Sequence, residues 1–203
     1  MQGILSRLLQ PDVDIFVDLF LGTPSELEQR LSNGDRDIVV GPIAQKTAGI
    51  VYRPYYQEPH SLYCGKGHPL FGRRDNLITQ AIIDETRISV RGYRQFDDLY
   101  RVGHPKAGAS IAHMEAQLMM ILSGRFIGFL PDHYAERWVR DGLMRAIKPR
   151  TYNFKSLHSI AYRATDAERP LITAFLAGLR QGNGVPVAEA GERLKQRKEL
   201  GRT

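Results

Sequence analysis

Hydrophobic and polar positions alternate with two different periods along this chain, and the changes of period mark its elements. In "MEAQLMMILSGRFIGFLPDHYAERWV" (Met114 to Val139), apolar Met114, Leu118, Ile121 and Leu122 stand three and four apart, as on the inward face of a helix. Gly124 follows where a left-handed cap is cheapest, and "RFIGFL" is an apolar run of strand length closed by Pro131, which cannot donate to a sheet ladder. "DHYAERWVRDGLM" then opens on an acidic residue suited to an N-cap, Asp132, puts Tyr134, Trp138 and Val139 on one side, and ends at Gly142. A strand between two helices is the unit of an α/β sheet. Gly124 reads as a packing and capping residue, whereas Gly128, mid-strand, leaves room for another backbone or a ligand.

The same grammar runs through the rest. "ILSRLLQ" predicts a helix that breaks at Pro11, and the alternation in "DVDIFVDLFLG" predicts a strand. "TPSELEQRLSNG" is a punctuated helix: Thr23 as N-cap, Pro24 in the first turn, Glu26 at capping-box spacing and Gly34 as its stop. "RDIVVGPI" predicts a buried strand ended by Gly41 and Pro42, and "GIVYRPYYQEPHSLYCGKGHPL" two extended pieces with turn residues between them. Further on come a helix in "NLITQAIIDET", a strand in "RISV", a long loop in "RGYRQFDDLYRVGHPKAGA", strands in "LMRAIKP" and "SLHSIAYRA", and an amphipathic helix in "RPLITAFLAGLRQG". The predicted class is α/β, as two similar Rossmann-like lobes. Ser61 to Cys64 and Leu157 to Tyr162 fall at the changes between lobes and are the hinge candidates.

Composition narrows the function classes. At 203 residues, 42% hydrophobic and a mean hydropathy of -0.32, the chain has the balance of a soluble globular protein. No apolar run approaches the about 20 residues that span a bilayer, and "MQGILSRLLQPDVD" lacks an export signal, so a cytoplasmic protein is expected with no membrane partner. Cys64 is the single cysteine, which excludes a disulfide within the chain and reads as a small apolar strand residue. The formal charge of +6 invites a nucleic-acid reading, but basic residues are dispersed. Their densest run, "ERLKQRKELGR", is partly cancelled by Glu192 and Glu199, and reads as a solvated tail. His60, His68, His104, His113, His133 and His158 are scattered, His113 and Glu115 point to different helix faces, and Asp132 and His133 read as surface positions at a helix start. With no phosphate loop, nucleophile elbow or carboxylate pair, neither an enzyme nor a cofactor or metal is expected.

Four stretches in order, "DVDIFVDLFLGTPSELEQRLSNGDRDIVVGPI", "HSLYCGKGHPL", "MEAQLMMILSGRFIGFLP" and "SIAYRATDAERPLITAFLAGLR", resemble the effector-binding region of LysR-type transcriptional regulators over residues 4–182. The resemblance implies a periplasmic-binding-protein-like fold of type 2: lobe I over 1–62 plus 158–182, lobe II over 63–157, and 183–203 as a flexible extension. It implies sensing of a small-molecule effector in a crevice beyond the strand ends, read out through lobe closure. The residues that this places at the effector are Thr23, Gly41, Pro42, Arg91, Tyr93, Ser110, Gly128 and Phe129, with Arg91 favouring an anionic metabolite. The family's winged helix-turn-helix and first strand are missing from the chain, so DNA is expected only through a domain absent from it, and Met1 reads as a truncation or a displaced start. Side-by-side antiparallel dimers are implied too, tetramers in a full-length protein, with Leu5, Leu8 and Leu9 of the first helix toward the partner chain. The alternative is a periplasmic-type solute-binding protein of the same two-lobe design.

Overall fold

The computed structural model of the chain describes residues 5–6, 9, 15–43, 47–94 and 97–182, and these fall into two units. One comprises residues 1–56 with 157–203, the other 57–156. Two strands pass from one unit to the other: β2 (Ile50–Gly65) between Tyr56 and Gln57, and β7 (Asn153–Arg163) between Ser156 and Leu157. Of the hinge candidates, Leu157 stands at a crossing, and Ser61 to Cys64 lie inside the second unit, past the crossing. The extension 183–203 lies outside the described residues.

In the first unit, helix α1 (Pro24–Asn33) carries the start and stop read from its sequence. Thr23 Oγ1 accepts from Glu26 N at 3.4 Å, Thr23 N donates to Glu26 Oε2 at 2.8 Å, and Gly34 is left-handed at φ 87°. Strand β1 (Val39–Gly41) pairs antiparallel with β7, Val39 opposite Ala161 and Gly41 opposite Ser159. Side chains on these strands alternate between two faces, as the pleat requires. Val39 and Ala161 pack with Leu31 of α1, while Ile160 and Tyr162 pack with Ile172, Phe175 and Leu179 of the last helix, α6 (Pro170–Gly182). Arg163 ties the layers together, its Nη1 donating to the carbonyls of Leu31 and Arg36 at 2.8 and 2.7 Å.

The segment before α1 departs from expectation. Ile15 to Gly22 has no regular structure, although its apolar residues alternate; no neighbouring strand among the described residues satisfies its backbone, and Phe16, Leu19 and Leu21 are 92%, 73% and 83% exposed. Of the first predicted helix, Leu5, Ser6 and Leu9 are described, with one helical bond from Leu9 N to Leu5 O at 2.9 Å; Leu8 lies outside the described residues.

The second unit is built on β2, β5 (Ile127–Pro131), β3 (Ile88–Arg91) and β4 (Ala109–Ile111), adjacent in that order, with β6 (Met144–Ala146) also on β2. β2 runs antiparallel to β5 and β6, and β5, β3 and β4 are mutually parallel. One face carries Leu62, Cys64, Ile88, Val90, Ile127 and Phe129, and is covered by Ile83 of α2 (Gln80–Asp84) and Val102 of α3 (Asp97–Val102). The other face carries Tyr63 and Leu130 under α4 (Met114–Leu122) and α5 (Asp132–Arg140).

Two elements here also differ from the sequence reading. β2 is one strand of 16 residues rather than two pieces; Pro54 and Pro59 both lie within it, before the stretch, His60 to Cys64, that pairs with β5. The predicted long loop after β3 contains a 3-10 turn, Gly92–Arg94, and the helix α3, whose buried Asp98 and Val102 stand four apart.

Candidate functional site

The parallel strands β5, β3 and β4 end on the same side of the second unit, where α/β sheets commonly offer ligands free backbone groups and helix N-termini. At that end Val90 lies opposite Ser110, and Gly92 follows directly. A Cβ on Gly92 would come within 2.5 Å of Ser110 Oγ, so glycine lets the β3 turn close on β4. Arg91, Tyr93 and Ser110 are thereby brought together: Arg91 buried, Tyr93 half-buried and Ser110 exposed.

Arg91 is not the free cation that its position suggested. Asp98, fully buried, accepts Arg91 N and Nε at 3.0 Å each on Oδ2, and Nη2 at 2.6 Å on Oδ1. Burial by itself would lower the Arg91 pKa; the hydrogen bonds and charge of Asp98 outweigh it and hold the guanidinium above its usual value. A fork of this kind neutralises both partners and fastens the turn after β3 to the first residues of α3.

Next to this pair stands Phe154 of β7, a residue the sequence reading passed over. The Arg91 guanidinium lies 5.1 Å from its ring centroid and that of Arg101 4.0 Å. His60 stacks on the same ring at 4.6 Å, and Phe129 meets it edge-on at 5.2 Å. His60 in turn lies 3.4 Å from the buried Glu58 carboxylate, which His133 approaches at 3.7 Å. Phe129, one of the candidate effector contacts, is fully buried and acts as a wall of this aromatic cluster.

Gly128 is occupied space. A Cβ there would fall 2.2 Å from Gln117 Nε2 and 2.7 Å from Ser89 Oγ, so the room it leaves is filled by a buried amide of α4. That amide donates to the carbonyls of Ser89 and Phe129 at 3.1 and 3.4 Å. In the first unit, Thr23 is half-buried with its hydroxyl engaged in the α1 cap, while Gly41 ends β1 with nothing within 4 Å of a would-be Cβ. Pro42 follows, half-buried.

Tyr63 donates to Asp132 Oδ1 at 2.9 Å, and burial together with that carboxylate raises its pKa. Asp132 is thus in the first turn of α5 rather than its N-cap, which is Pro131. Tyr63, Asp132, His133, Glu136, Val139 and Arg140 line a depression of about 540 Å³ beside that helix. Cys64 is buried with its thiol pushed up to about 11 by that burial, against the pull of Arg145. Among the described residues, no group of three or more His, Cys, Asp and Glu is placed to hold a metal ion, and no helix is long and apolar enough to cross a membrane.

Residues 1–184 match the model of the LysR substrate binding domain. The chain is 28% identical over 179 residues to the HTH-type transcriptional activator BauR of Pseudomonas aeruginosa, covering 85% of this chain and 57% of that protein. Its fold is similar to ArgP from Mycobacterium tuberculosis, with a TM-score of 0.69 at 12% identity over 89% of this chain and 61% of that one. It is similar also to a reduced form of OxyR from N. meningitidis, with a TM-score of 0.66 at 19% identity over 90% of both chains. The chain therefore spans less than two thirds of the length of BauR and of ArgP.

Proposed function

The chain belongs to the LysR substrate-binding domain family, and we propose that it is the effector-sensing and oligomerising part of a transcriptional regulator. The family match over 184 residues carries this reading, and the BauR likeness supports a regulator over a solute-binding protein. The effector is a small molecule bound at strand ends: Arg91, Tyr93, Ser110 and Phe129 in the second unit, with Gly128 fixing the strand that carries Phe129. In the first unit Thr23, Gly41 and Pro42 are the proposed contacts, by the same logic of strand end and helix start. An effector alters transcription only if it binds one conformation more tightly than another, with coupling of about 1–3 kcal/mol. The reading implies regulation rather than catalysis, DNA contact through a separate domain, a cytoplasmic location and no cofactor.

A thermal-shift screen of carboxylates, amines and neutral metabolites tests it. A ligand at 100 times its dissociation constant stabilises the fold by roughly 2.7 kcal/mol. If none of these classes raises Tm, effector sensing by this chain is refuted.

A homodimer is the proposed assembly. Phe16, Leu19 and Leu21 form an apolar stretch left open in the first unit, which a second copy would cover.

A further inference from the structure

We propose that Arg101, not Arg91, recognises the effector's charged group, and that the effector is a small carboxylate; this rests on the effector-sensing reading above. The two arginines sit over one aromatic ring, yet they differ in what is left for a ligand. Arg91 is 3% exposed, and its Nε and Nη2 are both committed to Asp98. The pair carries no net charge, and an anion approaching it would meet the Asp98 carboxylate as well as the guanidinium. Arg101 is exposed, and among the described residues no carboxylate forms an ion pair with it. It supplies the uncompensated positive charge at this cluster.

Its side chain is also pre-positioned. The guanidinium lies over Phe154 at 4.0 Å, the closest of the cation-ring approaches described in the chain. Stacking against an arene covers one face of the guanidinium and leaves its N–H edge for an acceptor in the same plane, the arrangement suited to a carboxylate held by two parallel bonds. Phe154 is itself held: His60 stacks on it with the rings 13° from parallel, and Phe129 meets it edge-on at 70°. The Glu58 carboxylate lies 3.4 Å from His60 Nε2 and 3.7 Å from His133 Nδ1. Less rotamer freedom is therefore lost when Arg101 meets a ligand than for an unsupported surface arginine.

The test compares ligand-induced stabilisation of the 203-residue chain with that of Arg101→Gln. Probes are acetate, succinate, benzoate and glutamate, each against its neutral amide, with ethylamine as a cation. Arg125→Gln, an exposed arginine outside the cluster, controls for loss of one positive charge. At least one carboxylate should stabilise the wild type and Arg125→Gln while its amide does not, and its affinity should fall roughly tenfold to a hundredfold in Arg101→Gln. Arg101→Lys, which keeps the charge without the fork, should recover only part of that loss. Equal carboxylate binding by wild type and Arg101→Gln overturns the assignment of Arg101 and leaves effector sensing standing. Stabilisation by an amide or by ethylamine but by no carboxylate overturns the ligand class alone. A wild type indifferent to every probe overturns the inference and counts against effector sensing with it.

Discussion

Gly128→Ala separates two roles for the glycine in the middle of β5. If that glycine leaves room for a ligand, adding a methyl should harm effector binding and spare the fold. The structure says the opposite. A Cβ would lie 2.2 Å from Gln117 Nε2 and 2.7 Å from Ser89 Oγ, and Gln117 is fully buried, so it has no solvent to retreat into. Its Nε2 would have to leave the carbonyls of Ser89 and Phe129. Overpacking of this kind costs about 1–3 kcal/mol. A buried amide stripped of its partners adds about 1–3 kcal/mol, and the stiffer unfolded chain returns about 0.4–1 kcal/mol. The net expectation is a loss of about 1–6 kcal/mol. Urea unfolding followed by Trp138 fluorescence reads it, since this single tryptophan packs beside Ile121 and Leu130 in the same unit. Gly128→Ala with Gln117→Ala removes the nearer of the two obstructions, leaving Ser89 Oγ, and the double variant should be more stable than Gly128→Ala alone. A Gly128→Ala midpoint within about 0.5 kcal/mol of wild type refutes the reasoning.

Asp98→Asn should destabilise the second unit by roughly 3–5 kcal/mol, because Arg91 is left charged and buried without its counter-ion; chemical denaturation checks this, and a loss below about 1 kcal/mol would show the pair to be incidental. Burial lowers the pKa of His68, whose Nδ1 accepts the Leu70 N–H at 3.1 Å, so the folded chain keeps the ring neutral while the unfolded chain protonates it near its ordinary value. This contribution is intact above about pH 6.5 and is lost as pH falls toward the folded pKa, so the drop in Tm between about pH 7.5 and 5.5 should shrink in His68→Gln; an unchanged drop counts against it. Cys64, with its thiol at about 11, should resist iodoacetamide in the folded protein at about pH 8 and react in urea; labelling before unfolding would contradict the burial. Leu19→Glu, at a position 73% exposed, should dissociate the dimer without lowering the stability of the monomer, as read by sedimentation equilibrium; a monomeric wild type at micromolar concentration ends the dimer reading.

Helices with complete punctuation were legible in the sequence, because a cap acts within four residues. Thr23, Glu26 and Gly34 bound α1 by contacts that never leave it. Alternation was a weaker guide, since a strand exists only where a neighbour accepts its hydrogen bonds. Ile15 to Leu21 alternate without such a neighbour among the described residues, while Pro54 and Pro59 look like breaks and yet lie within the single strand β2. Of the candidate effector residues, Arg91, Tyr93 and Ser110 converge at strand ends, as their positions in the sequence suggested.

What stayed hidden is which cation is spent. Arg91 and Arg101 stand ten positions apart in a stretch that also holds Asp97 and Asp98, and spacing alone makes every pairing among the four plausible. The choice is made by α3, whose first turn buries Asp98 and leaves Tyr100 and Arg101 outward. Phe154, more than fifty residues later, then gives Arg101 a surface to lie on. A residue's own neighbours predict its burial far better than they predict its partner, because burial follows the period of one element and partnership depends on how two elements meet. The net charge offered to an effector is a property of partnership, and it is the guanidinium that no buried carboxylate has claimed that should set the ligand's charge.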